Sequence, residues 1–214
     1  MRVRIGLAAL VALAAQASLP PMPQVPLDSM AAFMLVLQQL LIGISLGFAV
    51  RLVFAAVELA GELVGLQMGL NFAGFFDPMS SSQGTASARF MGTMASFLFI
   101  VINGHLFLIA AVVQSFHSFP VGTEVLGFMR TLEPHTWAVE LFRLGLTIAL
   151  PIVGMLLFVN LVLGMISRVS PQINVFAIGF PVTLSVGLLG LLFTLPMMQV
   201  PVQAAMEAML ARFT

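Results

Sequence analysis

The sequence has no cysteine and no lysine, and it is poor in charged residues of either sign. Charged residues make up 7% of the 214 residues, and all eight basic residues are arginine. Without cysteine the chain has no disulfide bond, no catalytic thiol and no thiolate ligand for a metal. The formal net charge is zero, which argues against nucleic acid or an acidic molecule as a partner.

The sequence also lacks the motifs of enzyme and metal chemistry. His117 and His135 have no second histidine at metal-binding spacing, and there is no H-E-x-x-H motif. No G-x-S-x-G motif occurs, and no glycine-rich phosphate loop follows a strand pattern. The serines at 80–82 have no adjacent base on a local helix face. The sequence therefore predicts no catalytic residue, no cofactor and no metal site.

Hydrophobic residues are what the chain has in excess. They make up 60% of the sequence, and the mean hydropathy is +1.12. Soluble domains contain about 25% charged residues, so this chain has too little polar material to cover a soluble globule. The uncharged runs 90–116 and 144–167 exceed the roughly 20 residues that a membrane-spanning helix needs. The sequence predicts an integral membrane protein, although its scattered arginines do not indicate an orientation.

The apolar runs predict an all-α fold that forms one membrane domain over 1–214. The 38 residues between Arg168 and Glu207 contain four prolines. They are expected to form one long helix with a broken entry and a frayed exit. The predicted helical segments cover about 5–19, 31–70, 88–116, 138–167 and 173–200.

The segment 43–69 contains no proline and is predicted to be one helix. At 100° per residue, Glu58 and Glu62 both lie within about 20° of Arg51 on the helical wheel. The five glycines of the segment share the neighbouring sector of the wheel. Small residues let helices approach closely in lipid, and intramembrane charges face protein or water. We therefore predict a buried charged and packing face that consists of Arg51, Glu58, Glu62, Gly61 and Gly65.

Three interpretations of this face stay open from the residues alone. Arg51 can pair with Glu58 or Glu62 and simply hold a helix bundle together. The charges can instead belong to a ring or pathway in an assembly, or to a proton relay. In the run 90–116, Asn103 and His105 are predicted to make polar contacts between helices. A lone intramembrane histidine is more often a packing residue than a ligand.

Several stretches together resemble the FliR family. They are GELVGLQMGLNFAGFFDP at 61–78, NGHLFLI at 103–109, SFHSFPVG at 115–122 and SRVSPQINVFAIGFPVTLSVGLLGL at 167–191. Each stretch is a weak signal alone, but their order is specific, and the resemblance covers essentially the whole chain. FliR is the single-copy export-gate subunit of the flagellar type III secretion apparatus, and injectisomes have a related T subunit.

The resemblance implies a non-enzymatic subunit made of tilted helical hairpins around a pore. It implies FliP-like and FliQ-like partner subunits, a FlhB-like subunit, and unfolded export substrates, in the bacterial inner membrane at the flagellar basal body. It also implies a re-entrant, plug-like loop at about 68–84 that closes the pore. The residues predicted for this plug are Met68, Gly69, Asn71, Phe72, Phe75, Phe76, Asp77, Pro78 and Met79.

The physical character of these residues supports a plug independently of the resemblance. An apolar constriction excludes ions by dewetting and can still be displaced. The four phenylalanine and methionine residues 72, 75, 76 and 79 supply the apolar surface, and Pro78 restricts Asp77 to extended geometry. The alternative is an inert hairpin turn.

The N-terminus departs from the family pattern. Family members begin with a further hydrophobic segment before an R-V-R-x-G-L-A stretch, which here stands at 2–8. The resemblance makes 2–15 part of an interior helix, although the first 18 residues also have the form of a signal peptide. We expect that this form lacks the first family helix, through truncation or an internal start. An injectisome subunit and a secondary transporter with a broken helix are the alternative functions.

Overall fold

The structure is a computed structural model, and it describes residues 2–16, 18–19, 25–26, 28–70, 84–121, 133–170, 172 and 174–213. Within these residues every regular element is a helix, which confirms the predicted all-α fold. The α-helices are α1 (Arg2–Gln16), α2 (Met30–Met68), α3 (Ala86–Val101), α4 (Gly104–Ser118), α5 (Pro134–Val169), α6 (Val175–Thr194) and α7 (Gln199–Leu210). Short 3-10 turns occupy Pro196–Met198 and Ala211–Phe213.

Three helices of the described part are long and apolar enough to cross a membrane. They are Met30–Met68, His135–Val169 and Ala177–Thr194, and the bent pair of α3 and α4 would make a fourth span. Large apolar side chains are exposed along them, for example Phe142 and Phe158 of α5. A soluble monomer rarely exposes so much apolar surface, and lipid or other protein covers it in a membrane.

The chain divides into two compact units. The first unit consists of Met1–Arg51, Asn103–Trp137 and Met206–Thr214, and the second consists of Leu52–Ile102 and Ala138–Ala205. The single export-gate domain predicted over 1–214 stays a prediction.

In the second unit, the C-terminal half of α2 is the central element. Its fully buried residues recur every three or four positions, which places them on one helix face. Met68, the last residue of α2, fills the space beside Gly187 of α6. The hydroxyl of Thr183, also on α6, donates to the carbonyl of Gly179 at 3.1 Å and lies 3.5 Å from the carbonyl of Met68. The buried apolar side chains in this half of α2 are Val53, Ala56, Val57, Ala60, Val64 and Met68.

In the first unit, Trp137 is the centre of an aromatic cluster. Its ring lies 5.8 Å from that of Phe48 and 6.3 Å from that of Phe213, centroid to centroid. The guanidinium of Arg212 donates to the hydroxyl of Thr136. Because Phe213 is buried and α4 contacts the turn that contains it, the end of the described chain is a packed element.

Two predicted segments differ from the structure. The segment 88–116 is not one helix, because α3 ends at Val101 and Asn103 takes a left-handed conformation with φ of 56° before α4 begins. A residue in this conformation interrupts the helical hydrogen bonds, and asparagine tolerates it better than most residues.

The exit of segment 173–200 is not frayed. α6 ends at Thr194, and α7 follows after the 3-10 turn. Pro196 opens that turn, and Pro201 lies in the first turn of α7. Proline is tolerated at both places, since the first amides of a helix need no intrahelical acceptor.

Candidate functional site

Charged and polar side chains of the second unit line a groove between α2 and α3. The groove has a volume of about 750 Å³. Glu58 and Glu62 of α2 lie along it, with Arg89, Thr93 and Ser96 of α3. Both glutamates are half-buried. The groove brings two of the sequence-predicted charged residues together with an arginine that the sequence analysis did not single out.

Glu62 binds the backbone at the start of α3. Its Oε1 atom accepts a hydrogen bond from the Thr85 amide at 2.9 Å. Thr85 is the N-cap residue of α3, and its hydroxyl oxygen accepts from the Ala88 amide at 3.1 Å. The carboxylate therefore lies at the positive end of a helix dipole, where a negative charge is stabilised.

Ser87 connects the same cap to the α2 backbone. Its hydroxyl is buried and donates to the carbonyl of Gly61 at 2.8 Å. The hydroxyls of Thr85 and Ser87 are 3.0 Å apart. Because a serine hydroxyl has one proton and Gly61 receives it, Thr85 is the donor to Ser87. The start of α3 is thus attached to α2 by a side-chain network with defined directions.

Gly61 and Gly65 allow α2 and α3 to approach this closely. A methyl group at Gly61 would lie 2.6 Å from the Cα atom of Ala88 and 2.8 Å from the Ser87 carbonyl oxygen. A methyl group at Gly65 would overlap the Ser87 hydroxyl oxygen. Small residues at a helix contact bring the two backbones together. Both glycines are buried in this contact.

The rest of the predicted charged face is arranged differently. Glu58 lies against Gly92 of α3, where an added methyl group would be 3.1 Å from the Glu58 Cγ atom. Arg51 is exposed and belongs to the first unit, whereas Glu58 and Glu62 belong to the second. The pairing of Arg51 with a glutamate, the charged ring and the proton relay stay predictions.

Asn103 and His105 lie at the break between α3 and α4. Both side chains are exposed, and the Asn103 side chain makes no capping hydrogen bond to α4. Within the described part of the chain, we therefore find no polar contact between helices that involves them. Contacts of this kind with another subunit stay a prediction.

The predicted plug is described only at its ends. Met68 is fully buried, Gly69 has a φ of 80° and Gly84 a φ of 75°. Leu70 and Ala86, on either side of the segment 71–83, line one apolar groove of about 580 Å³ together with Phe90 and leucines of α6. Outside the described residues lie Asn71, Phe72, Phe75, Phe76, Asp77, Pro78 and Met79.

The roles of Thr85 and Ser87 were not predicted from the sequence. A threonine immediately before an apolar helical run is an N-cap signal, and G-T-A-S-A at 84–88 has that form. The hydrogen bond between the Thr85 amide and Glu62 could not be predicted from a local sequence motif. It joins residues 23 positions apart, and only the packing of α3 on α2 brings them together.

Long apolar helices joined by close backbone contacts and a few polar side chains define a multi-pass membrane protein. The family described as "Bacterial export proteins, family 1" matches residues 1–209, and the chain belongs to this family. The predicted resemblance is thereby confirmed.

Several similar curated proteins share the name "Flagellar biosynthetic protein FliR". The protein from Escherichia coli (strain K12) is 46% identical over 187 residues, which cover 87% of this chain and 71% of that protein. The protein from Pectobacterium carotovorum subsp. carotovorum is 42% identical over 196 residues, covering 92% and 75% respectively. The protein from Bacillus subtilis (strain 168) is 28% identical over 192 residues, covering 88% and 74%.

Proposed function

We propose that this chain is a non-enzymatic subunit of the flagellar type III export gate, where it helps to form and seal the channel for unfolded substrates. Its general role is flagellar protein export in the bacterial inner membrane. This role rests on the family match and on relatives named for flagellar biosynthesis. No observation on the chain favours the injectisome or the transporter alternative.

The sealing role rests mainly on the two ends of the segment 71–83. Gly69 and Gly84 both have positive φ, a conformation that lets the backbone turn sharply at little cost. Leu70 and Ala86 line the same groove, so the described residues on either side of the segment lie close together. The phenylalanines of the segment suit an apolar seal.

The proposed partners are FliP-like and FliQ-like subunits and a FlhB-like subunit. Membership of the export family supports partners within the flagellar export apparatus. Co-purification of the tagged chain with candidate FliP-like and FliQ-like proteins, together with a stoichiometry measurement, tests the assignment. We expect a stable complex that contains one copy of this chain. A chain that purifies without either partner from cells that express all three contradicts the proposal.

The seal is tested by replacing 72–80 with a glycine-serine linker of the same length. We expect assembly to be retained and the ion conductance of idle cells to rise, because the apolar side chains are gone. The matched control is a same-length replacement at 123–131, in the connection between α4 and α5, which should leave conductance unchanged. Unchanged conductance in the 72–80 variant, with normal assembly, would refute the plug.

A further inference from the structure

We propose that Glu62 is a positioning residue that anchors the start of α3 to α2 and so fixes the point at which the chain returns from the segment 71–83. The anchoring rests on the described contacts alone. Its consequence for the channel rests on the proposed sealing function. The charge of Glu62 alone does not assign this role, since Glu58 carries the same charge one turn away on α2 and has different contacts.

The first step is the backbone hydrogen bond. The Thr85 amide precedes the first turn of α3, and amides at a helix start have no acceptor in their own helix. Glu62 supplies the acceptor at 2.9 Å. A carboxylate that accepts a backbone N–H forms a charge-assisted bond, which is stronger than a bond between neutral groups.

The second step is the conformation of Gly84. Its φ of 75° belongs to the left-handed region, and a methyl group there would lie 2.7 Å from Oε1 of Glu62. A side chain at position 84 would therefore be strained and would also push the carboxylate away. Glycine permits both the turn into α3 and the approach of Glu62 to the Thr85 amide.

The third step is the network around the bond. Ala88 donates to Thr85, Thr85 donates to Ser87, and Ser87 donates to the Gly61 carbonyl. This network and the Glu62 carboxylate attach α3 to two adjacent residues of α2. Anchoring at adjacent residues resists rotation of α3 as well as separation of the two helices.

The fourth step is the electrostatic setting. Glu62 lies on an apolar membrane protein, where an isolated charge is costly. The helix dipole of α3 and the amide of Thr85 compensate the carboxylate, and Arg89 lines the same groove. Glu58 lies against Gly92 in the middle of α3 instead, away from the cap, and is therefore the matched control.

The anchor is tested by residue-resolved hydrogen exchange on the full chain in its export complex. In E62A the Thr85 amide should exchange at least roughly tenfold faster, because it loses its acceptor. In E62Q the amide oxygen can still accept, so protection should be partly kept. Amides of α5 near Ile152 should not change in either variant, which separates anchoring from general destabilisation. Unchanged Thr85 exchange in E62A, or an equal effect in E58A, would overturn the proposal.

The consequence for the channel is tested by conductance of the same variants beside the 72–80 replacement. If the replacement and E62A both raise the conductance while E62Q raises it less, the positioning role is supported. If the replacement raises the conductance and E62A does not, despite faster Thr85 exchange, the positioning role is overturned and the sealing function is retained. If the replacement leaves the conductance unchanged, the sealing function is refuted. The hydrogen-exchange result alone then tests whether Glu62 anchors α3.

Discussion

At the scale of single residues, Glu62 shows how this chain accommodates a carboxylate among apolar helices. The carboxylate has a backbone donor at the start of α3. On a helical wheel, the position of Glu62 is equally compatible with an ion pair between Glu62 and Arg51. A charge on a packing face thus has more than one way to be compensated, and the choice depends on which helix lies opposite.

The glycines of α2 differ in how much space surrounds them. Gly61→Ala should lower the free energy of unfolding by about 1–3 kcal/mol, because the added methyl group meets the backbone of α3. Gly47 has nothing within 4 Å of such a methyl group. Gly47→Ala should therefore be neutral or stabilising by up to about 1 kcal/mol. Thermal unfolding in detergent measures both, and equal melting temperatures would contradict the close contact.

The hydroxyls of α3 offer a second matched pair. Ser87→Ala should cost about 1 kcal/mol, since a buried hydrogen bond to the Gly61 carbonyl is lost. Thr93→Ala removes an exposed bond to Arg89 within α3 itself and should change stability little. Denaturant or thermal unfolding of the two variants tests this order. A larger loss in Thr93→Ala than in Ser87→Ala would count against the network.

The helical wheel predicts a packing face on α2 but does not predict what packs on it. Gly61 and Gly65 fall on that face by helical periodicity alone, and both are buried. Gly43 and Gly47 have the same spacing, yet both are exposed in this chain. Periodicity gives the direction in which a side chain points. It does not give the place at which a neighbouring helix ends.

At the scale of elements, Asn103 determines where α3 stops. An apolar run that continues from 90 to 116 predicts one helix, because hydropathy does not register a backbone φ. The asparagine within N-G-H was the available signal, since Asn and Gly are the residues that enter the left-handed region most readily. The same limit applies at the end of α6, where Pro196 and Pro201 predict a frayed exit because the sequence does not show that they lie in the first turns of a 3-10 turn and of α7.

The left-handed conformation of Asn103 predicts an unusual order of stability among variants at this position. Asn103→Ala should be less stable than Asn103→Gly by about 1 kcal/mol, because only glycine adopts a positive φ without a penalty. At Asn160, which is exposed inside α5, the order should reverse, since alanine favours a helix interior. Melting temperatures of the four variants decide this. The same order at both positions would contradict the left-handed conformation.

At the scale of the whole molecule, the proposed assembly predicts separate effects on folding and on association. Gly43→Leu and Gly47→Leu add side chains into open space, so the melting temperature of the isolated chain should stay within a few degrees. Co-purification with FliP-like and FliQ-like subunits should fall if they cover this face. Gly61→Leu should instead lower the melting temperature of the chain itself. Normal co-purification of both the Gly43 and Gly47 variants would remove this face from the proposed interface.

The length of α2 has a consequence for its surroundings. Its exposed large apolar side chains run from Met30 to Phe48, and Leu66 follows alone near the end of the helix. The stretch from Met30 to Phe48 is about 27 Å long at 1.5 Å per residue, which matches a hydrocarbon layer about 30 Å thick. One layer can therefore cover this stretch at an ordinary tilt of up to about 40°. Leu66 lies about 54 Å from Met30 along the helix, so the same layer does not reach it, and its cover has to come from another source.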